Sequence, residues 1–466
     1  MIPTPTFVRL PGGPTLEVVD QGPRDGPAFV LLHGITDSWR SFEPVLPLLP
    51  RSWRVIALSQ RGHGASSKDA AGHATRDWNL HTHQVIKAAD GYVDPMAASR
   101  VLAMVHLAMH DAVNAAEPRY RAHVYRPALP VARGRADVAV AAAVAAHDVL
   151  AGLYPKQKDL VRTALETTLL DAGIGAGVEQ GKRIGAAAAA AMLAARADDG
   201  SRADEAYTPG TRAGQWQFTP GFDFIAAPHW RAVKPFTMAQ PSQFRVAPPP
   251  ALTSAEYAAA FNEVKAVGSQ AADARRSSDE TQYAAYWYEF SDIGWNRIAR
   301  VVARDKPQRL WQRARTFALL NAVMADGYIA GWDSKMHHDF RRPVTAIRQA
   351  ERDGNPATAA DANWLPLLPT PPIQDHPSTH SVLGAAAAVV LAGAFGSDQV
   401  PFTMASPTSR PEAPARRFAS FGQAAAENAD SRVRAGIHFR FAATAGLRLG
   451  RQIGHQALAG HLQPLR

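Results

Sequence analysis

The chain has 466 residues, of which 46% are hydrophobic and 20% charged, with a formal net charge of +9 and no cysteine. This is the composition of a globular protein long enough for two or three domains, and the lack of cysteine excludes disulfides, thiol catalysis and cysteine-ligated metals. The basic residues form no concentrated tail or stripe, so the charge reads as an arginine-rich surface or a small-anion site, and no nucleic-acid partner is expected.

The opening, MIPTPTFVRLPGG, has no basic start followed by an apolar core, so no signal peptide is expected. AFVLLHG and WRVIALS are short apolar runs, each followed by a turn signal, and they predict adjacent strands of an α/β sheet. SFEPVLPLLP between them reads as a helix or loop. His33-Gly34 follows the first strand and Arg61-Gly62-His63-Gly64 the second. Over residues 5 to 68 this resembles the start of the α/β-hydrolase fold, where the backbone after His-Gly helps to build an oxyanion hole. The nucleophile elbow G-x-S-x-G occurs nowhere in the chain. Residues 1–76 are therefore expected to form a small, incomplete α/β segment without hydrolase chemistry, its sheet edge open unless the helical part covers it.

From about Trp78 the texture changes to long alanine- and leucine-rich stretches broken by Gly and Pro. VLAMVHLAMHDAVNAAEP, VAVAAAVAAHDVLAGLYP and RTFALLNAVMADGYIAGWDSK carry helix periodicity and helix-stop residues. Residues 77–466 are expected to form a mainly α domain of bundle type, with FRVAPPPALTSAEY as an internal loop. His106 and His110 stand at i, i+4 beside Asp111, a spacing that suits zinc, but the glutamate of H-E-x-x-H is missing and packed core histidines are the simpler expectation. The longest uncharged apolar run, SVLGAAAAVVLAGAFG, is shorter than the ~20 residues of a membrane span. It predicts a buried helix in a soluble protein, with no membrane partner.

Three later segments converge chemically. KMHHDFRRP places Lys335 and Arg342 seven residues apart, close to two helical turns, so both cations can point one way. In DHPSTHSVLG, Ser378 is a candidate N-cap whose helix start offers free N–H groups to an anion, with His380 two residues on. In SRVRAGIHFRF, Arg432 and His438 do not share a helix face, but Gly436 between them permits a turn that brings both to one pocket. Three cations, a hydroxyl and two imidazoles suit a tetrahedral or bipyramidal oxyanion with one nitrogen near its central atom.

The pattern K-x6-R-P, P-S-x-H, S-R-x5-H resembles that of the vanadium-dependent haloperoxidases and the related type 2 phosphatidic acid phosphatases, over residues 77 to 466. Flanking stretches such as AASRVLAMVHLAMHDAVNAAEPRY and DGNPATAADANWLPLLPTPP are similar to soluble bacterial members. The resemblance implies that vanadate, or phosphate in the same site, is held by Lys335, Arg342, Ser378, Thr379 and Arg432. It implies His438 as the axial ligand and His380 as the acid–base group. Hydrogen peroxide and halide would then be the small-molecule substrates and hypohalous acid the product. The alternative chemistry is phosphate-monoester hydrolysis with His438 as nucleophile, and a third reading is a catalytically impaired oxyanion-binding protein. Trp332 and Ile373 fall where the resemblance places halide- or substrate-side residues, and His338 is a candidate for the entrance. Family members are often exported; a homo-oligomer is left open. Two departures stand out: Thr379 replaces the usual glycine of P-S-G-H, and Ala442 stands where an aspartate often follows the last histidine. The second leaves His438 in need of another carboxylate, for which His337-His338-Asp339 offers one source.

Overall fold

In the computed structural model the described residues are 4–9, 15–33, 38–59, 70–128, 134–172 and 174–465. The chain opens with four strands, β1 (Thr6–Arg9), β2 (Thr15–Gln21), β3 (Ala28–Leu32) and β4 (Arg54–Leu58), in the spatial order β1-β2-β4-β3. β2 runs antiparallel to β1 and β4, whereas β3 and β4, the two strands expected from the sequence, are neighbours and parallel. The segment between them forms two 3-10 turns, Trp39–Phe42 and Leu46–Leu48. Val19, Trp39, Leu46, Val55 and Ala57 make a small core of their own. No described strand pairs with the outer side of β3, whose Val30 and Leu32 are 56% and 61% exposed, so the incomplete sheet keeps an open apolar edge. The stretch Arg61 to Gly64 lies outside the described residues.

The rest is helical. In order come α1 (Ala70–Ala88), α2 (Pro95–Ala116), α3 (Val138–Leu153), α4 (Lys158–Ala172), α5 (Ala176–Ala195), α6 (Ala255–Val267) and α7 (Ser278–Tyr286). Then follow α8 (Ser291–Asp305), α9 (Leu310–His338), α10 (Pro343–Arg348), α11 (Thr379–Phe395), a hairpin of β5 (Phe402–Ala405) and β6 (Ala415–Phe418), α12 (Phe421–Arg434) and α13 (Arg440–Gly460). The first helix starts ahead of the change of texture at residue 77, and its Trp78, Val85 and Ile86 join the same core as α2 and α9. Asp94 caps α2 by accepting from the N–H groups of Met96 and Ala97, with Pro95 in the first turn.

Two central helices carry the site. α9 is buried from Phe317 to Lys335, and α11, the apolar run of the sequence, is buried over most of its length. α13 lies directly on α11 because Gly446 and Gly450 face it. A Cβ at Gly446 would fall 2.5 Å from Ser378 O, and one at Gly450 2.1 Å from Val382 O. That backbone-to-backbone contact holds the start of α11 in place. No described helix is long and apolar enough to cross a membrane.

Candidate oxyanion site

Lys335 and Arg342 do not share a helix. α9 stops at His338, and Asp339 takes the left-handed conformation (φ +48) that ends it, its N–H bonding Lys335 O at 2.9 Å. Arg342 instead caps α10, with Pro343 in the first turn. The two cations still converge. Lys335 Nζ donates to Gln374 O at 2.6 Å and to Asp375 O at 3.1 Å. Arg342 Nε donates to Ile373 O at 2.6 Å, and its Nη1 to Ile437 O at 2.7 Å and to His438 Nε2 at 2.8 Å. Both side chains are fully buried.

Ser378 occupies the N-cap of α11, as its position before the apolar run predicts, but its hydroxyl makes no capping bond. Its N–H is held by Ala442 O at 2.9 Å, and its buried Oγ has no partner. Thr379 is the first helical residue of α11 and is not among the residues with positive φ, so glycine's conformational freedom is not needed there. His380 Nε2 lies 3.1 Å from Glu289 O. α12 ends at Arg434, and Gly436 (φ +78) turns the chain so that His438 faces Arg342. Arg432 Nη1 donates to Trp287 O at 3.1 Å, its guanidinium lies 5.5 Å from the Tyr288 ring, and its buried Nε is unpartnered.

The carboxylate that the sequence left open is Asp375. Its Oδ1 lies 2.9 Å from His438 Nδ1, an ion-pair distance at which the N–H does not meet the angle of a good hydrogen bond. With Nε2 accepting from Arg342, the neutral ring carries its proton on Nδ1, toward Asp375. Asp339 does not fill this role; it accepts from Tyr207 Oη at 2.5 Å and from Gln215. Nothing in the spacing of the three motifs marks Asp375. The available signal was its place two residues before the Pro377-Ser378 pair, beside the backbone that Lys335 grips.

Arg342, Thr379, His380, Arg432 and His438 line one cavity of about 560 Å³, together with Trp332 and Ile373. Lys335 and Ser378 lie beneath its wall. His338 is not on this cavity: its Nε2 lies 2.9 Å from Val246 O and its ring packs edge-on to His376. The entrance role expected for it is therefore corrected, because α9 turns its last residues toward the 243–248 loop. His106 and His110 are buried in α2, one 2.8 Å from Asn79 Nδ2 and the other 3.2 Å from Asp111 Oδ1. Among the described residues no group of three or more His, Asp or Glu side chains forms a metal-binding cluster.

The electrostatics fit an anion. Burial holds Lys335 well below its usual value, with Arg342 adding to the effect. Burial also brings Arg342 down to about 10 and Arg432 to about 9. His438 is held well below its usual range by burial and then by Arg342 and Lys335, and His380 by burial and then Arg432. Burial raises Asp375 to about 7 against the pull of Arg342 and Lys335. Lys335 and Arg342 thus flank the Asp375 carboxylate, Arg432 adds a third buried cation, and three donors, Ser378 Oγ, Thr379 Oγ1 and Arg432 Nε, lack partners. A buried, unsatisfied donor set costs free energy until an acceptor arrives. A tetrahedral oxyanion supplies the missing charge and acceptors, so these residues fit vanadate or phosphate.

Comparison with known proteins agrees with this geometry. Residues 315–465 match the model of the vanadium chloroperoxidase second helical-bundle domain, and residues 27–98 that of the α/β-hydrolase fold. The vanadium chloroperoxidase of Curvularia inaequalis is 26% identical over 392 residues, 67% of this chain; the chain spans 63% of that protein's length. A bacterial vanadium-dependent iodoperoxidase superposes with a TM-score of 0.73 at 26% identity, over 85% of this chain and 98% of its own. At the N-terminus, epoxide hydrolase B of Mycobacterium tuberculosis is 39% identical over 83 residues, 17% of this chain and 23% of the hydrolase. Residues 315–465 therefore carry the vanadium chloroperoxidase second helical-bundle domain, the helical part as a whole is similar to vanadium haloperoxidases in sequence and fold, and an α/β-hydrolase-like segment precedes it.

Proposed function

We propose that the protein is a vanadate-dependent haloperoxidase, oxidising halide with hydrogen peroxide to hypohalous acid: X⁻ + H₂O₂ + H⁺ gives HOX and H₂O. The observation that carries this reading is the buried His438 imidazole, with Asp375 on one ring nitrogen and the cation cluster at the other. Bound vanadate supplies a Lewis-acidic centre that activates peroxide while keeping its own oxidation state. Lys335, Arg342 and Arg432 would hold its oxygens, Ser378 Oγ and the opening N–H groups of α11 would donate to them, and His438 Nε2 would be the nitrogen offered to the vanadium. To free that ring nitrogen, Arg342 Nη1, now 2.8 Å from His438 Nε2, would have to donate to an oxyanion oxygen instead. Asp375 keeps the imidazole proton on Nδ1 and strengthens Nε2 as a donor. His380, neutral through burial and with Nε2 tied to Glu289 O, takes or gives the reaction proton at Nδ1.

The test is reconstitution with orthovanadate, followed by iodide and bromide oxidation in peroxide. Vanadate-dependent formation of triiodide and of a brominated dye is expected; none with either halide overturns the reading. The same Asp375–His438 pair favours a second chemistry, phosphate-monoester hydrolysis through a phosphohistidine at His438. Hydrolysis of nitrophenyl phosphate, inhibited by vanadate, without halide oxidation would establish that one instead. Tight vanadate or phosphate binding with neither activity would leave an impaired oxyanion-binding protein.

A further inference from the structure

Met96 stands in the first turn of α2, where its N–H donates to Asp94 Oδ1 at 3.1 Å and the cap fixes its backbone. Its side chain is 3% exposed, yet it lines the same cavity as His380 and His438. Among the described residues it is the only methionine on that wall. Met104, Met109, Met192, Met238, Met324 and Met404 are buried and line no part of it. Met336, half-buried in the last turn of α9, has its sulfur 3.5 Å from Gln374 Nε2, off the cavity. The chain has no cysteine, so no thiol competes for an oxidant released in the cavity. Tyr288 and Trp332 share the wall, with Tyr288 Oη donating to Pro369 O at 3.0 Å and Trp332 Nε1 to Ala226 O at 3.0 Å. A thioether is softer and more polarisable than either ring and oxidises first.

We infer that Met96 is a site of self-modification: hypohalous acid made beside His438 converts its thioether to the sulfoxide, and this limits the number of turnovers. The inference rests on the haloperoxidase reading, which supplies the oxidant. The sulfur lone pair attacks the halogen and the O–X bond breaks. Water then adds at sulfur and halide leaves, so that R₂S + HOX gives R₂SO + X⁻ + H⁺. Sulfur is oxidised by two electrons, the halogen is reduced from +1 to −1, and the halide returns to the pool. The burial of Met96 shields it from oxidant in bulk solvent, so the cavity is the route by which it is reached. A polar sulfoxide on a wall shared with Phe290, Tyr328 and Ile373 loses apolar packing at the start of α2, and activity falls as it accumulates.

The experiment gives the vanadate-loaded full chain hydrogen peroxide and each halide it oxidises, with no organic acceptor, and reads the sulfoxide at every methionine by peptide mass spectrometry. Sulfoxide at Met96 is expected at least fivefold ahead of Met336, with activity falling in step. Reagent hypohalite of the same halogen, added from solution to vanadate-free protein, should reverse that order, because Met336 is the more exposed of the two. Met96→Leu, which keeps the apolar volume and removes the sulfur, should retain the initial rate and complete at least threefold more turnovers before inactivation. Halide oxidation that leaves Met96 intact overturns this inference and leaves the haloperoxidase reading standing. So does equal marking of Met96 by peroxide without halide, marking no faster than that by reagent hypohalite, or a Met96→Leu variant that inactivates as fast as the parent. Absence of any halide oxidation removes the oxidant and overturns both readings together.

Discussion

His438 Nδ1 lies 2.9 Å from Asp375 Oδ1, although 63 positions separate the two residues in the chain and no motif joins them. Ala442 brings no carboxylate, and Asp375 stands at the ring nitrogen; the Ala442 carbonyl accepts from the Ser378 N–H. The acid comes from the loop before α11, whose backbone Lys335 holds.

Asp375→Asn keeps the shape of the pair but removes its charge. Outer partners of a ligating histidine are worth roughly 10- to 100-fold in affinity or activity, so vanadate binding in equilibrium dialysis should weaken by about that factor while the thermal midpoint changes little. Unaltered affinity would show that Asp375 does not support the ring.

Oxyanions should stabilise the fold. A ligand at 100 times its Kd adds about 2.7 kcal/mol, so phosphate or vanadate should raise Tm by a few degrees. Lys335→Met, which removes a buried cation of similar length, should abolish most of that increase. An identical shift in the variant would place the anion elsewhere.

Gly436→Ala tests the turn that aims His438. The position has φ +78, and a Cβ would lie 2.2 Å from Gly268 O. Strain of this kind costs roughly 1–3 kcal/mol, and relief requires the loop to move, so both Tm and vanadate affinity should fall. A variant that loses stability but binds vanadate normally would uncouple the turn from the site.

Stability should fall as pH drops from 6.5 toward 4. Burial pushes His106 down to about 3 and His376 to about 4. In that window the unfolded chain binds protons that the native state refuses, so unfolding free energy rises with pH by about 1.4 kcal/mol per unit for each such histidine. The contribution is complete above the unfolded value near 6.5. Asp375 and Asp292, both raised to about 7, act in the opposite sense between their unfolded values and 7. His83, His123, His338, His380 and His438 are also lowered by burial and act with the first two, while Asp326 and Asp339, also raised by burial, act with the carboxyls. Urea midpoints at pH 5 and 7 check the sign; a higher midpoint at pH 5 would contradict it.

Much of this was legible along the chain because it is local. A strand followed by a turn, a serine before an apolar helix and a glycine between Arg432 and His438 each declare their conformation within a few residues, and the order of the three motifs names the cradle. The seven-residue spacing of Lys335 and Arg342 misled in detail: Asp339 ends α9 between them, so the cations meet through a turn and not along a helix face. His338 was drawn toward the site by its neighbours in sequence, yet the same turn carries it to the Val246 loop.

By itself the sequence determined which side chains could neutralise an anion, that the helical part would bury them, and that the N-terminal sheet would stop short. Only the tertiary structure decided which carboxylate backs His438, which carbonyls engage the cations, and that aromatic residues from three separate segments line the same cavity. The physical reason is that helix caps, turns and apolar runs depend on neighbours in the chain. The partner of a buried charge depends on which backbones can approach closely, here set by Gly446 and Gly450 where α13 rests on α11.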